Sequence, residues 1–438
     1  MEVGRRFSKD LVYYAVGIAL PGIVNAASIP VLKWMLGATG FGFYSIRQGF
    51  MLLLTTGAIG WLCQSVIRFR YRHPEQASEA YNGQMLRMAA GILAIAASLV
   101  LLLYRWWVPD SWLLVGLFAT AFLLCGFQNL ILAITQANFN AKHTVYSEAL
   151  RTVSFLGFGV LFIWMRPGYA TEMLFAALIV SYLLSISLLL HIGRLRISKL
   201  FSRSVPGSAT KGPTDRREIF QYGLPLAYWF LISFILSYAD KLALAGLLGY
   251  ESQGHYQAMH DLISRGVSFL MLPVVYALYP VMSKAFESQA ESKAMALLKK
   301  IVLLELLFLV LALAAYWLFG FRLVAWLLKV PVDPNFFHTG WLMLATGILW
   351  QMNMLLHKPF EMRYNTRLMA LFVSAALVVY GCSLYLVYRT RPAEVYVFTL
   401  PFLAATLTYM SACIWQLSSH KRRMLQQRFR QGSSHYTP

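Results

Sequence analysis

Charge is what this sequence has least of. Only 13% of its 438 residues are Asp, Glu, Lys or Arg, against 58% that are apolar. A soluble domain carries about a quarter charged residues, so an ordinary water-exposed globule is excluded. Acid is scarcer still, with 18 Asp and Glu against 38 Lys and Arg. The four cysteines, Cys63, Cys125, Cys382 and Cys413, are not spaced as pairs, so no disulfide or metal site is inferred from them. No glycine-rich loop ends in Gly-Lys-Ser/Thr, so no ATP site is legible and no cofactor is expected. Nor does any stretch alternate apolar and polar residues as the strands of a transmembrane barrel must.

What the chain has instead is apolar length. About 20 apolar residues cross a bilayer as a helix. Twelve such stretches lie near 11–36, 41–67, 83–104, 112–137, 145–165, 171–193, 219–249, 253–284, 296–320, 339–360, 367–388 and 394–416. They predict an all-α, polytopic membrane protein, and are called spans 1 to 12. The start has the basic head, apolar run and small-residue "NAA" of a cleavable signal peptide. The apolar run continues through "IPVLKWML" to spanning length, so it is read as a retained span.

The charges orient the spans. With the N-terminus cytoplasmic, the cytoplasmic segments hold most of the Lys and Arg, from Arg5 and Arg6 through Arg68, Arg70 and Arg72 to Lys421, Arg422 and Arg423. The opposite loops hold few, among them Arg105, Arg166 and Arg391. This is the positive-inside asymmetry, and it puts both termini in the cytoplasm. It also accounts for the net charge of +20 without nucleic acid as a partner.

The longest polar interruption, 194–218, is basic and rich in Ser, Gly and Pro, and reads as a flexible linker beside anionic membrane lipids. It separates a six-span half, 1–193, from a second, 219–416, and a basic tail, 417–438, follows. The halves share a block. "LGATGFGFY" after span 1 and "LGYESQGHY" after span 7 both read Leu-Gly, four residues, then Gly-x-Tyr, offset by 212 residues. Two parallel repeats about an axis along the membrane normal are a known transporter plan.

Three stretches together, "GATGFGFYSIRQGF", "SVIRFRYRH" and "YGLPLAYWFLISFILSYADKLALAGLLGYESQGHYQA", resemble the polysaccharide (O-antigen) flippase branch of the multidrug/oligosaccharidyl-lipid/polysaccharide exporter superfamily. The resemblance is strongest over 11–75 and 219–285. It implies a MATE-like V of two pseudo-twofold six-helix lobes, with a central cavity lined mainly by spans 1, 2, 7 and 8. It further implies an undecaprenyl-pyrophosphate-linked oligosaccharide as substrate, moved across a bacterial cytoplasmic membrane by alternating access. Polysaccharide polymerase and glycosyltransferases are the implied protein partners.

Charges inside spans are costly and usually have a partner or a task. Glu148 and Arg151, three apart, predict a local pair, and Asp261 and Arg265, four apart, can also meet. Arg87 is read as snorkelling, and Glu305 as reaching the interface. Arg47 has no acid at helical spacing, and Asp240 and Lys241 are neighbours that diverge by about 100° around a helix. Arg47, Lys241 and Arg265 are therefore candidates for a pyrophosphate, since Arg offers forked donors and Lys a compact charge. The lipid II flippase branch similarly carries cavity arginines on helices 2 and 8, which favours Arg47 and Arg265. Its helix 1 arginines have no counterpart here. Asp240 and Asp261 are candidates for gating or coupling, with Arg47 and Asp240 expected to pair across the halves when the cavity is shut outward. Tyr44, Trp229, Tyr238 and Tyr256, with Trp61 and Tyr228, are candidates for stacking on sugars. For each charge the alternative is a structural ion pair, and for each aromatic, ordinary packing.

Two other classes remain at this point. A multidrug or cation antiporter of the same superfamily would favour an acidic cavity, whereas the span charges here lean basic. A membrane-embedded glycan transferase or polymerase would need clustered His, Asp or Glu at a membrane surface. His255, His260 and Asp261 are the nearest approach to such a cluster.

Overall fold

The computed structural model describes residues 2–69, 75–107, 111–137, 141–192, 216–287, 291–363 and 365–433. Most of the expected linker, 194–215, lies outside the described residues. Among those described, helices and short connections account for the chain, and there is no strand. The first half holds α1 (Glu2–Thr55), a π-turn (Thr56–Gly60), α2 (Trp61–Phe69), α3 (Glu75–Trp107), α4 (Trp112–Ala137), α5 (Ala141–Met165) and α6 (Ala170–Ile192). The second holds α7 (Arg216–Leu236), α8 (Ala239–Glu287), α9 (Glu291–Ala315), a π-turn (Tyr316–Gly320), α10 (Phe321–Leu328), α11 (Pro334–Leu356), α12 (Lys358–Met362), α13 (Thr366–Thr390) and α14 (Leu400–Ser433).

Nine segments among the described residues are long and apolar enough to cross a membrane. Two of them, Pro21–Phe69 and Ile219–Met271, run 49 and 53 residues, about twice what one crossing needs. Each folds back on itself at a glycine. Gly37 (φ 70, ψ 173) and Gly249 (φ 82, ψ 171) adopt nearly the same left-handed turn, a conformation that only glycine takes at little cost. Each glycine thus divides a long helix into two antiparallel passes. With α11, long enough to cross but less apolar, these passes match the twelve expected spans. The structure is a polytopic helical membrane fold.

The repeat seen in sequence is also a packing device. A Cβ on Gly42 would overlap the Tyr250 carbonyl, and a Cβ on Gly254 would overlap the Ala38 carbonyl. The two glycines, and the two carbonyls, are related by the same 212-residue offset. Backbone therefore meets backbone across a local twofold, as small residues permit between membrane helices. Elsewhere α5 packs on α6 and α1, α4 on α6, and α3 on α4, while α13 packs on α14 and α7, and α11 on α8, α9 and α14. Between the halves, α1 lies against α8, and α2 with its π-turn lies against α7. These are the four helices that the resemblance assigns to the cavity. The contact continues away from the kinks, where Gly22 makes room for Phe269 and Gly223 for Trp61.

One expectation is corrected in detail. Span 7 is not one helix: α7 ends at Leu236, and α8 starts at Ala239 after a turn at Ser237–Tyr238.

Candidate functional site

The break in span 7 explains the charges that follow it. A broken helix frees backbone groups, and in a bilayer these must find partners inside the protein. The Lys241 ammonium donates to the freed Ser237 carbonyl, and the Asp240 amide donates to Tyr380 Oη of α13 at 2.8 Å. Asp240 also stands in the first turn of α8, where the helix dipole favours an acid. Its Oδ2 accepts from Tyr256 Oη at 2.6 Å, and its Oδ1 lies 3.6 Å from Lys241 Nζ. Adjacent residues of a regular helix would diverge, but the turn lets this pair meet. Lys241 is only 1% exposed and Asp240 2%, so both are enclosed in this conformation.

Arg47 does not reach Asp240, whose carboxylate contacts are Tyr256 and Lys241. The Arg47 guanidinium lies 3.2 Å over the Phe43 ring, and its Nη1 donates to the Phe43 carbonyl at 3.2 Å. Arg265 does not pair with Asp261 either. It reaches from α8 across to α1, where its Nη1 donates to the Asn25 carbonyl and, at 3.4 Å, to Ser28 Oγ. Asp261 instead accepts from Gln257 Nε2 at 2.7 Å and lies 3.4 Å from His260 Nδ1. Asp261 and His260 side chains are 24% and 22% exposed.

All but one of the aromatic candidates prove to be packed. Tyr44 is buried edge-on against Phe175. Trp229 is stacked on Trp350 and donates through Nε1 to Tyr409 Oη at 2.9 Å. Tyr238 crosses to the other half, lies over Gly49, and donates to the Ile46 carbonyl. Tyr256 is tied to Asp240. A large ring is most stable when fully buried, and its polar tip then needs a protein partner; Trp229, Tyr238 and Tyr256 have one, whereas the Tyr44 hydroxyl is buried without one. Tyr228 is the exception, half exposed on α7 with its hydroxyl 2.8 Å from Ser374 Oγ.

The expected local pair is present. Arg151 Nη2 lies 2.8 Å from Glu148 Oε2, and the two side chains are 20% and 30% exposed. Sequence reasoning missed what surrounds them. Gln128 Nε2 donates to Glu148 Oε1 at 2.8 Å and to Ser185 Oγ at 2.9 Å. Thr152 links Glu148 to α1, accepting from Asn25 Nδ2 at 3.5 Å and donating to the Glu148 carbonyl at 2.8 Å. Asn25 is also the residue that receives Arg265. A polar chain therefore runs from α6 and α4 through α5 and α1 to Arg265 on α8, crossing from one half to the other.

At the end of the bundle away from the kinks, Phe69 packs edge-on to Tyr222 at 5.6 Å and Arg68 lies 5.3 Å over the same ring. Lys358 Nζ is 2.7 Å from Glu361 Oε2. Burial works to raise the Glu361 carboxyl, but Lys358, with His357 and Arg68, holds it below the ordinary carboxylate range. Two surface clefts open beside the kinks, one along Leu36, Gly40 and Pro167 and one along Leu248, Arg391 and Pro392. Neither is lined by the charged candidates.

Comparison with known proteins closes on the same reading. Residues 7–286 match the family model described as polysaccharide biosynthesis protein. No curated protein matches the chain. Among solved structures, a MOP superfamily transporter from Pyrococcus furiosus superposes with a TM-score of 0.66 at 13% identity, covering 93% of this chain and 95% of that one. A MATE transporter of Vibrio cholerae gives 0.65 at 12% identity, covering 96% and 99%. A MATE structure in the bent conformation gives 0.67 at 13%, covering 95% and 96%. With its kinked paired helices, its twofold glycine contact and this family match, the chain belongs to the polysaccharide biosynthesis protein family, the flippase branch its motifs resemble, built on the MATE fold.

Proposed function

We propose that this protein is a flippase that moves an undecaprenyl-pyrophosphate-linked oligosaccharide across a bacterial cytoplasmic membrane. In this reading residues 1–193 and 219–416 are lobes that rock by alternating access, with 194–218 as the linker and both termini cytoplasmic. The kink end, where Gly42 meets Gly254, then faces outward and is shut in this conformation.

The observation that carries the reading is Arg265. It is a guanidinium within a span that bridges the halves, yet its resolved acceptors are neutral, the Asn25 carbonyl and Ser28 Oγ. A hydrogen bond to an ionised acceptor is about twice as strong as one to a neutral acceptor. A phosphate reaching Arg265 would therefore displace α1, and in doing so loosen the contact between the halves. Binding and opening share one side chain. Arg47 is the further cation toward the kink end, whereas the geometry supports Lys241 and Asp240 as a brace of the broken helix.

The test is export in a flippase-null strain with matched membrane levels. Arg265→Ala should lower surface glycan at least tenfold, and Arg265→Lys should keep part of it. Wild-type export from both Arg265→Ala and Arg47→Ala would sink the reading. The alternative is a gradient-driven multidrug antiporter, favoured by the partly exposed Glu148 and Asp261 and by the MATE structures that share the fold. It expects drug resistance on expression, lost in Asp261→Asn, and no glycan export.

A further inference from the structure

Glu305 stands apart from every other charge described. It lies on α9, within the apolar segment Ser292–Leu328. Its neighbours Leu303, Leu304, Leu306 and Leu307 point outward and are well exposed, while Glu305 turns inward and is 2% exposed. Neither carboxylate oxygen has a hydrogen-bond partner, and no ion pair involves it among the described residues.

Its surroundings follow from the antiparallel register of α9 and α11. Leu298 packs with Leu355, and Tyr316 packs close to Gly340. Glu305 falls between these two contacts, level with a stretch of α11 whose buried residues are Thr346, Ile348 and Met352. Among the described residues, the titratable groups on the packed elements are engaged elsewhere, except the Tyr316 hydroxyl at the end of α9, which is buried without a partner. On α8, Asp240 holds Lys241 and Tyr256, Asp261 holds Gln257 and His260, and Arg265 reaches α1. On and beyond α11, His338 stacks on Tyr396, His357 meets Tyr409, and Lys358 pairs with Glu361. Glu251 and His255 stand near the kink, about 50 residues of chain away and at the far end of α8.

An ionised carboxylate enclosed without a donor costs several kcal/mol, and the simplest remedy is a proton. A metal ion would need several ligands together, and no group of three His, Cys, Asp or Glu suited to one occurs among the described residues. We propose that Glu305 is a proton-binding site, neutral in this conformation, that ionises only when the contact between α9 and α11 opens to water. Proton release is thereby tied to movement of that helix pair. The carboxylates singled out earlier as coupling groups, Asp240 and Asp261, each have donors that stabilise their charge. Glu305 has none. The π-turn at Tyr316–Gly320, which ends α9, is a place where such a helix can shift.

The experiment is infrared difference spectroscopy on the full chain in lipid nanodiscs, titrated from about pH 5 to about pH 9, well above the ordinary Glu value. Wild type should keep a protonated carboxyl band at neutral pH that is absent from Glu305→Gln. Thermal melting over the same range should fall in wild type relative to Glu305→Gln as pH rises, because only the native residue can acquire a buried charge. Identical bands in the two proteins, or a melting difference that does not change with pH, would overturn the proposal. Glu305→Leu gives a second folded reference that also lacks the proton. Neither readout depends on the cargo, so this site and the flippase reading can fail separately.

Discussion

Nine residues before Gly37 stands Ser28, and nine residues before Gly249 stands Asp240. Both precede the same left-handed glycine turn, but the helix is broken at Ser237–Tyr238 just before Asp240 and runs unbroken through Ser28. Their chemistry is opposite. In the first half, Ser28 and the Asn25 carbonyl receive an arginine from the other half. In the second half, Asp240 and Lys241 are used up repairing their own broken helix. A duplicated scaffold thus supplies one side that accepts a foreign charge and one that closes on itself. An exchangeable contact can only be built on the first.

The largest expected effect breaks the closed side. Lys241→Ala leaves Asp240 enclosed with one partner fewer, a loss of about 3–5 kcal/mol, read as a lower melting temperature of the purified protein. Combining Lys241→Met with Asp240→Asn should recover most of it. Ser28→Ala, at the matching place, should lose no more than about 1 kcal/mol. Equal losses at the two places would end the contrast.

A smaller effect tests the symmetry beneath it. Gly42→Ala and Gly254→Ala each press a methyl group onto the partner's carbonyl, and overpacking of this kind costs about 1–3 kcal/mol. The two variants should weaken the kink end equally, measured as slower crosslinking between cysteines placed at Ala38 and Tyr250 in a chain freed of its native cysteines. A loss confined to one glycine would mean that the twofold is not shared by the forces.

The smallest concerns the paired side chains three residues apart, Glu148–Arg151 and Lys358–Glu361, at 2.8 and 2.7 Å. Glu361 is held below its ordinary range in the fold, so its contribution is full above the unfolded value of about 4.3. It fades as pH falls through the lower folded value. Glu361→Gln should flatten the acid side of the melting profile and leave its alkaline side unchanged. An unaltered acid limb would remove Glu361 from the account.

Much of the scaffold was legible. Apolar length marked the passes, and the Leu-Gly, Gly-x-Tyr block marked both kinks, because only glycine adopts such a turn or permits backbone contact. The site was less so. Helical spacing correctly joined Glu148 to Arg151, since both lie on one unbroken helix. It failed for Asp240 and Lys241 because it assumed that span 7 was continuous. It paired Asp261 with Arg265 without knowing that α1 offers Arg265 better-placed acceptors. Glu305 was expected to reach the interface and is instead enclosed, since one acid among leucines looks the same in either case.

By itself, then, the sequence determined what depends on local composition: membrane residence, the apolar passes and the duplicated kink. Tertiary structure alone decided which charges meet, which aromatics are already buried, and which carboxylate has no partner. The physical reason is range. Hydrophobic transfer and backbone strain are settled residue by residue along the chain, whereas hydrogen bonds and ion pairs reach only a few ångströms and depend on segments brought together from distant positions.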